Sequence, residues 1–339
     1  MTEKERYEKI DLPFYREEVR PFLPEKILDF HTHIWTKDHW IEIPWEKDLP
    51  GRKYMVVEEE NKVEDLLKDG EMIFPGLEYN AVCFSFPSPS IDLKKTNAYV
   101  AEACKERKNL FPLLLIGKDT TPEDEIIEAV EKLGFKGFKV LTPWYGDDYG
   151  SITVKDMIGP REMEIADEYN LVVLLHVPRA DRLADPEVQR DVMEYATKYP
   201  NAKLVLAHCG RCYLPEQILK AMRLLRELEN IYLDTSMVME SQVFQIILEN
   251  LNPRRLLFGT DLPIARMRGR RVYVMNHWVD IVLEGYPESA YRVSLKGISA
   301  VFMVWEIVLA LKRAAAAVGL DKEKFQQIFY ENGMNLLRK

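Results

Sequence analysis

Four of the six histidines in this 339-residue chain stand where short apolar runs end. His31 and His33 close the run Ile27-Leu28-Asp29-Phe30-His31-Thr32-His33, His176 closes Leu171 to Leu175, and His208 closes Lys203 to Ala207. A carboxylate, Asp261, ends the run from Leu256 in the same manner. Side chains alternate along a strand, so His31 and His33 point to one side and can grip one ion. Taken alone, a His-x-His pair is as easily two ordinary surface or core histidines. Five such residues at strand ends are harder to explain by packing, which would place Val, Ile or Leu there. A divalent ion with nitrogen and oxygen ligands accounts for all five, with zinc the first choice and manganese, iron or nickel the alternatives.

These residues need a scaffold that brings strand ends together. The strand candidates are 27–31, 81–86, 111–116, 137–141, 171–176, 203–208, 231–234 and 256–261. Helical patterns fill most of the intervals, at 93–108, 122–133, 162–169, 186–199, 214–228 and 241–251. Continuous apolar strands alternating with helices imply a parallel sheet covered on both faces. Eight such units predict an α/β fold of the (β/α)8 TIM-barrel type, whose strand ends converge on one mouth. An open doubly wound sheet is the competing architecture; no G-x-G-x-x-G follows the first strand, so its dinucleotide form loses its main support.

Three segments exceed the minimal barrel. Residues 1–26 read as a charged leader packing on the barrel, and 27–339 as a single domain. Residues 34–78, after the first strand, carry Trp35, Trp40, Trp45 and His39. The tryptophans suit a lid over a planar substrate, an interface or the core. Residues 262–300, after the eighth strand, carry Arg266, Arg268, Arg270 and Arg271, a charge run expected to face solvent. Insertions at these ends cap a site or build a subunit contact.

The composition, 47% apolar and 30% charged, suits a globular protein with a sizeable core. A net charge of −9 argues against nucleic acid or an acidic membrane as partner. The charged start MTEKERYEKI lacks a signal-peptide core, and the apolar stretch Val301–Leu311 is too short to span a bilayer, reading instead as a buried helix. A cytoplasmic protein, a homodimer or higher homo-oligomer, is expected. Of four cysteines, Cys209 and Cys212 form a C-x-x-C with no second pair at zinc-ribbon spacing, so they are expected to be reduced and packed.

In order and spacing the motifs resemble the amidohydrolase superfamily, and within it the second amidohydrolase family, which includes aminocarboxymuconate-semialdehyde decarboxylase and many hydrolases. The matching pieces are D-F-H-T-H at the first strand, His176 at the fifth, H-C-G at the sixth, G-T-D-L-P at the eighth, and the ending Phe329 to Leu337. The resemblance implies that His31, His33, His176 and Asp261 ligate one divalent metal. His208 would lie beside it and donate a hydrogen bond to a developing oxyanion. A bound divalent ion lowers the pKa of its water to about 7. Asp261 could hold that water and take its proton.

Lys139, in Gly137-Phe138-Lys139, is open to three readings: a carbamate bridging a second metal as in binuclear members, a substrate contact, or a structural lysine. Arg179 and Arg211, each three residues past a strand-end histidine, can bind a carboxylate bidentately or merely sit in solvent. Asp29 shares a face with His31 by alternation and could orient its ring. The expected reaction is metal-dependent hydrolysis of a C–N or C–O bond in a small, carboxylated substrate. The alternatives are a nonoxidative decarboxylase or hydratase of an unsaturated or aromatic acid on the same site, and a silent barrel that only binds a ligand.

Overall fold

The computed structural model describes residues 1–41, 59–141, 150–274, 277–286 and 292–338; Trp45 lies outside them. Strand β1 (Lys26–His33) pairs in parallel with β2 (Glu78–Phe84), and β2 with β3 (Leu110–Pro112). The third position continues past Leu113 as β4 (Leu114–Ile116). From there β5 (Gly137–Val140), β6 (Val172–Leu175), β7 (Lys203–Leu206), β8 (Ile231–Asp234) and β9 (Leu256–Leu257) follow in order, all parallel.

The ring closes by backbone hydrogen bonds between β1 and the chain leaving β9. Phe30 N donates to Phe258 O at 2.8 Å, Asp261 N to His31 O at 2.9 Å, and His33 N to Leu262 O at 2.9 Å. Eight helices follow the eight strand positions: α1 (Val63–Ile73), α2 (Leu93–Lys105), α3 (Glu123–Glu131), α4 (Pro160–Glu168), α5 (Pro186–Lys198), α6 (Pro215–Glu227), α7 (Ser241–Asn250) and α8 (Met303–Ala317). The sequence signs are the expected ones. Asp92 caps α2 by accepting from Lys95 N at 3.0 Å, and Asp185 caps α5 ahead of Pro186. The α1 helix lies inside the long 34–78 connection, where the reading of periodicity placed no element.

The strands read as continuous apolar runs because each is buried on two sides. Inward-facing Leu28, Phe30, Val82, Val172, Leu174 and Val205 fill the barrel, and Leu336 and Leu337 of α10 (Glu331–Leu337), which follows α9 (Lys322–Phe329), close its lower end. A larger apolar layer packs strands against helices.

One irregularity in β1 governs the site. Asp29 lies opposite Ala81 and Thr32 opposite Cys83, so Phe30 and His31 together face the single residue Val82. This is a β-bulge, and it reverses which residues face the interior. Leu28 and Phe30 point into the barrel below it, and the rings of His31 and His33 meet the inward ring of Phe84 above it, at 5.1 and 4.7 Å between centroids. Alternation therefore fails between Asp29 and His31. Asp29 faces outward, accepting from the Tyr79 hydroxyl at 3.0 Å, Thr260 N at 2.9 Å and the Thr260 hydroxyl. It braces the junction of β1 with the β9 exit and accepts the backbone N–H of His31 at 3.2 Å, without contacting the imidazole ring. Its expected role in orienting His31 is corrected accordingly.

The excursion after β9 forms a small sheet of β10 (Gly269–Val274), β11 (His277–Leu283) and β12 (Arg292–Leu295). Its arginines correct the expectation of a solvated charge run. Arg268 is buried, with Nε and Nη2 both donating to Asp11 Oδ2 at 2.9 and 2.7 Å. Arg271 is buried and grips Asp280 through Nε at 2.8 Å and Nη2 at 3.1 Å. A carboxylate on the N-terminal run and one on the neighbouring strand make their burial tolerable. Asp11 comes from the helical N-terminal run over 3–22, whose Tyr15 ring packs 5.6 Å from Trp305 of α8.

Candidate active site

Five strand ends supply the polar residues of the barrel mouth. His31 and His33 come from β1 above the bulge, Lys139 from β5, His176 just past β6, His208 just past β7, and Asp261 past β9. All six are buried. Asp261 Oδ1 lies 3.0 Å from His33 Nε2 and 3.4 Å from His31 Nε2. One ligand atom each from His31, His208 and Asp261 falls within 4.8 Å of the others. His208, expected beside the metal, belongs to this group, whereas the expected ligands His33 and His176 are not part of it. The His176 ring stands edge-on to that of His208 at 5.2 Å.

The second nitrogen of each imidazole decides what the first can do. His31 Nδ1–H donates to Asp234 Oδ2 at 2.8 Å, His33 Nδ1–H to Ser85 O at 3.2 Å, and His208 Nδ1–H to Ser236 O at 3.0 Å. Fixing the proton on Nδ1 leaves an Nε2 lone pair on His31 and His208, whereas His33 Nε2 faces Asp261 Oδ1 at hydrogen-bond distance. Burial, followed by the charge of Lys139, pulls the His31 pKa well below the usual value. Burial, then Arg211, does the same at His176, and burial lowers His208. Burial pushes the Asp261 carboxyl up, but the His33 hydrogen bond and the facing imidazoles outweigh it and hold the group at about 2. The centre therefore gathers imidazole nitrogens and a carboxylate oxygen around one point. That donor set fits a divalent metal ion.

Lys139 brings a buried cation to the mouth. Its Nζ stands 3.5 Å from His31 Nε2 and 4.9 Å from the Phe84 ring centre, and burial lowers its pKa to about 8.

Asp234 and Ser236 were not identified from sequence. Asp234 accepts from His31 Nδ1, from His208 N at 2.8 Å, from Ser236 N at 3.0 Å and from the Ser236 hydroxyl. It closes the strand candidate 231–234, so the rule that picked out Asp261 could have found it. Ser236 carries no comparable signal. The chain from His208 to Arg211 has φ values of 56°, 52°, 67° and 58°, a left-handed turn after β7. Such conformations cost about 1–2 kcal/mol per non-glycine residue. The Asp234 bond to His208 N holds the turn, and Cys209 donates its thiol to Asp234 O at 3.3 Å. Cys209 and Cys212 are free and buried, as expected, and burial raises both thiols.

The two arginines divide. Arg179 is held by Asp185 at 2.9 Å and Glu187 at 2.8 Å on the rim. Arg211 donates to Val177 O at 3.0 Å, close enough to His176 to depress its pKa. Among the tryptophans, Trp35 is buried and stacks edgewise on Phe86 at 5.4 Å, a core position.

Comparison with known proteins agrees with this fold. An amidohydrolase family model matches residues 28–338. No curated protein matches the chain. Among solved structures, a probable 2-pyrone-4,6-dicarboxylic acid hydrolase from Acinetobacter baumannii with citric acid bound superposes with TM-score 0.58 at 14% identity, covering 92% of this chain and 99% of that one. A 2,6-dihydroxybenzoate decarboxylase from Rhizobium gives 0.55 at 14% identity, covering 93% and 99%. An amidohydrolase from Burkholderia multivorans with bound zinc gives 0.58 at 13% identity, covering 92% and 99%. At such identities the likeness is one of fold.

Proposed function

The chain belongs to the second amidohydrolase family, a family of metal-dependent enzymes, and from that premise we propose that it is a zinc-dependent hydrolase of a C–N or C–O bond in a small carboxylated molecule. The observation that carries this reading is the convergence of the His31, His33 and His208 imidazoles on the Asp261 carboxylate. His31, His33, His176 and Asp261 would hold the metal, with His208 at its edge. When bound, the ion would supply Lewis acidity and a water that ionises near neutrality.

The chain's own groups supply the rest. Asp261 remains a carboxylate across the working pH range and accepts the proton of an attacking water. His208, positioned by Asp234 and Ser236, faces the site with Nε2 and polarises the substrate once protonated or hydrogen-bonded. Arg211, rather than the rim-bound Arg179, is the arginine assigned to a substrate carboxylate.

The family fold also serves decarboxylation, as in the Rhizobium neighbour, so a lyase acting on an aromatic or unsaturated acid is the second reading. Zinc-loaded protein assayed against carboxylated lactones, amides and hydroxybenzoates separates the two. Acid release without gas supports hydrolysis, and CO2 release without net hydrolysis supports the lyase. Asp261→Asn should lower turnover by about 10²–10⁴-fold while the protein stays folded. Wild-type rates in that variant would refute the role given to Asp261.

A further inference from the structure

Beside His208 lies a second polar cluster that the metal reading does not use. Three excursions at the mouth build it: Arg182 on the chain after β6, Tyr213 on the chain after β7, and Tyr273 on β10. The Tyr213 ring lies 6.2 Å from the His208 ring, 5.5 Å from Tyr273 in a stacked pair, and 5.0 Å from the Arg182 guanidinium. Arg271 approaches the same ring at 5.6 Å.

The state of Arg182 requires explanation. Its side chain is only 6% exposed. Its Nη1 makes two long bonds, 3.3 Å to Arg211 O and 3.4 Å to Gln217 Oε1, and its Nε has no acceptor. Among the described residues no carboxylate pairs with it, whereas the neighbouring Arg271 has Asp280. The Tyr273 hydroxyl is also buried without a hydrogen-bond partner. A guanidinium buried without an anion is strongly unfavourable, and each buried hydrogen bond left unmade adds to that cost. Burial, and then Arg211, pulls the Arg182 pKa down. Donors left over in a positive field one aromatic ring away from the candidate metal ligands are complementary to an anionic group that is not part of the chain.

We propose that Arg182 and the Tyr273 hydroxyl, flanking the Tyr213 ring, form an anion subsite that takes a second carboxylate of the substrate, remote from the reacting bond. The proposal rests on the metal-centred reading above and narrows its substrate class to diacids. A planar guanidinium with a free Nε matches a carboxylate, and the tyrosine hydroxyl adds a donor.

The test measures binding without turnover. Calorimetry on zinc-loaded protein compares glutarate and adipate with the monoacids valerate and hexanoate. Wild-type protein should bind the better diacid at least about tenfold tighter than its monoacid. Arg182→Gln should remove most of that preference while leaving zinc content and monoacid affinity within about twofold. Tyr273→Phe, which deletes one hydroxyl and keeps the stack, should remove a smaller part of it, and answers the question if Arg182→Gln does not fold. Equal binding of diacids and monoacids by wild-type protein overturns the subsite, as does a preference that survives both substitutions. Protein that takes up no zinc yet keeps a diacid preference sensitive to Arg182 supports the subsite and removes the metal reading alone.

Discussion

Asp234 accepts the Nδ1–H of His31 at 2.8 Å across a sequence separation of 203 residues. The same carboxylate holds the backbone N–H of His208, so one side chain at the end of β8 sets a ring on β1 and a turn after β7. It acts through both histidines without facing substrate, which makes it a positioning residue.

Asp234→Ala should therefore weaken zinc binding by about 10–100-fold, the usual cost of losing the partner of a ligand imidazole. Chelator competition measures it, with circular dichroism as a check on folding. Unchanged zinc affinity in a folded variant would show that His31 needs no such support.

Gly259, two residues before Asp261, leaves room for His31. A Cβ there would sit 3.0 Å from His31 Cβ and 3.5 Å from Asp234 Cβ. His31 cannot easily retreat, since Asp234 fixes its ring. Gly259→Ala should cost about 1–3 kcal/mol in urea unfolding of the metal-free protein, as overpacked positions do, and should weaken zinc binding as well. A neutral effect on both would mean that β1 yields more than its hydrogen bonds suggest.

The pH dependence of metal binding follows from the direction of the histidine shifts. The folded-state pKa values of His31, His176 and His208 lie below the ordinary value, with burial the first cause, so these rings stay neutral until the solution is more acid than 6.5. Protons then compete with metal only below that point. Zinc affinity should be nearly level from pH 7.5 to 6.5 and fall steeply beneath it. A steep loss already complete at pH 6.5 would contradict the buried, neutral cluster.

Lys139 governs the alkaline side. Burial holds its pKa at about 8, so it is charged at pH 7 and neutral at pH 9. Its ammonium faces the His31 lone pair at 3.5 Å, and losing that charge should strengthen zinc binding between pH 7 and 9. The rise should vanish in Lys139→Met. We expect one zinc per chain without added bicarbonate; a second zinc appearing with bicarbonate, and lost in Lys139→Met, would identify a bridging carbamate.

Away from the site, Asp11→Ala leaves Arg268 buried with the exposed Glu3, at 2.7 Å, as its one carboxylate partner among the described residues. Stranding a buried charge costs about 3–5 kcal/mol. Urea unfolding should register a loss of that order, whereas Arg223→Ala, which breaks an exposed contact with Glu227 at 3.0 Å, should cost far less. Equal effects would show that the Asp11 pair is no more than a surface ion pair.

The eight strand–helix units could be read from the sequence because strands buried on two sides are apolar throughout and stand apart from the amphipathic helices between them. His31, His33, His176, His208 and Asp261 were legible because a polar residue ending an apolar run has few packing explanations. Asp234 obeyed the same rule and was passed over, since Ile231 to Asp234 ends in a residue that also reads as a turn. The bulge in β1 leaves no mark in composition, so alternation misassigned Asp29. The partner of Arg268, Asp11, lies 257 residues away, so no local pattern announces it, and the pairing of Arg271 with Asp280 depends on the register of the β10–β11 hairpin.

The extra residue in β1 lets one strand serve two incompatible purposes. Up to Phe30 its inner side is oil; from His31 onward it is chemistry, with no intervening position wasted on either. Deleting a single residue between Asp29 and Thr32 would turn the imidazoles toward the helices while leaving the lower barrel intact. The catalytic and folding demands on this strand are thus separable by a frame shift of one, and a shortened strand would be a folded barrel with its reactive face turned inside out.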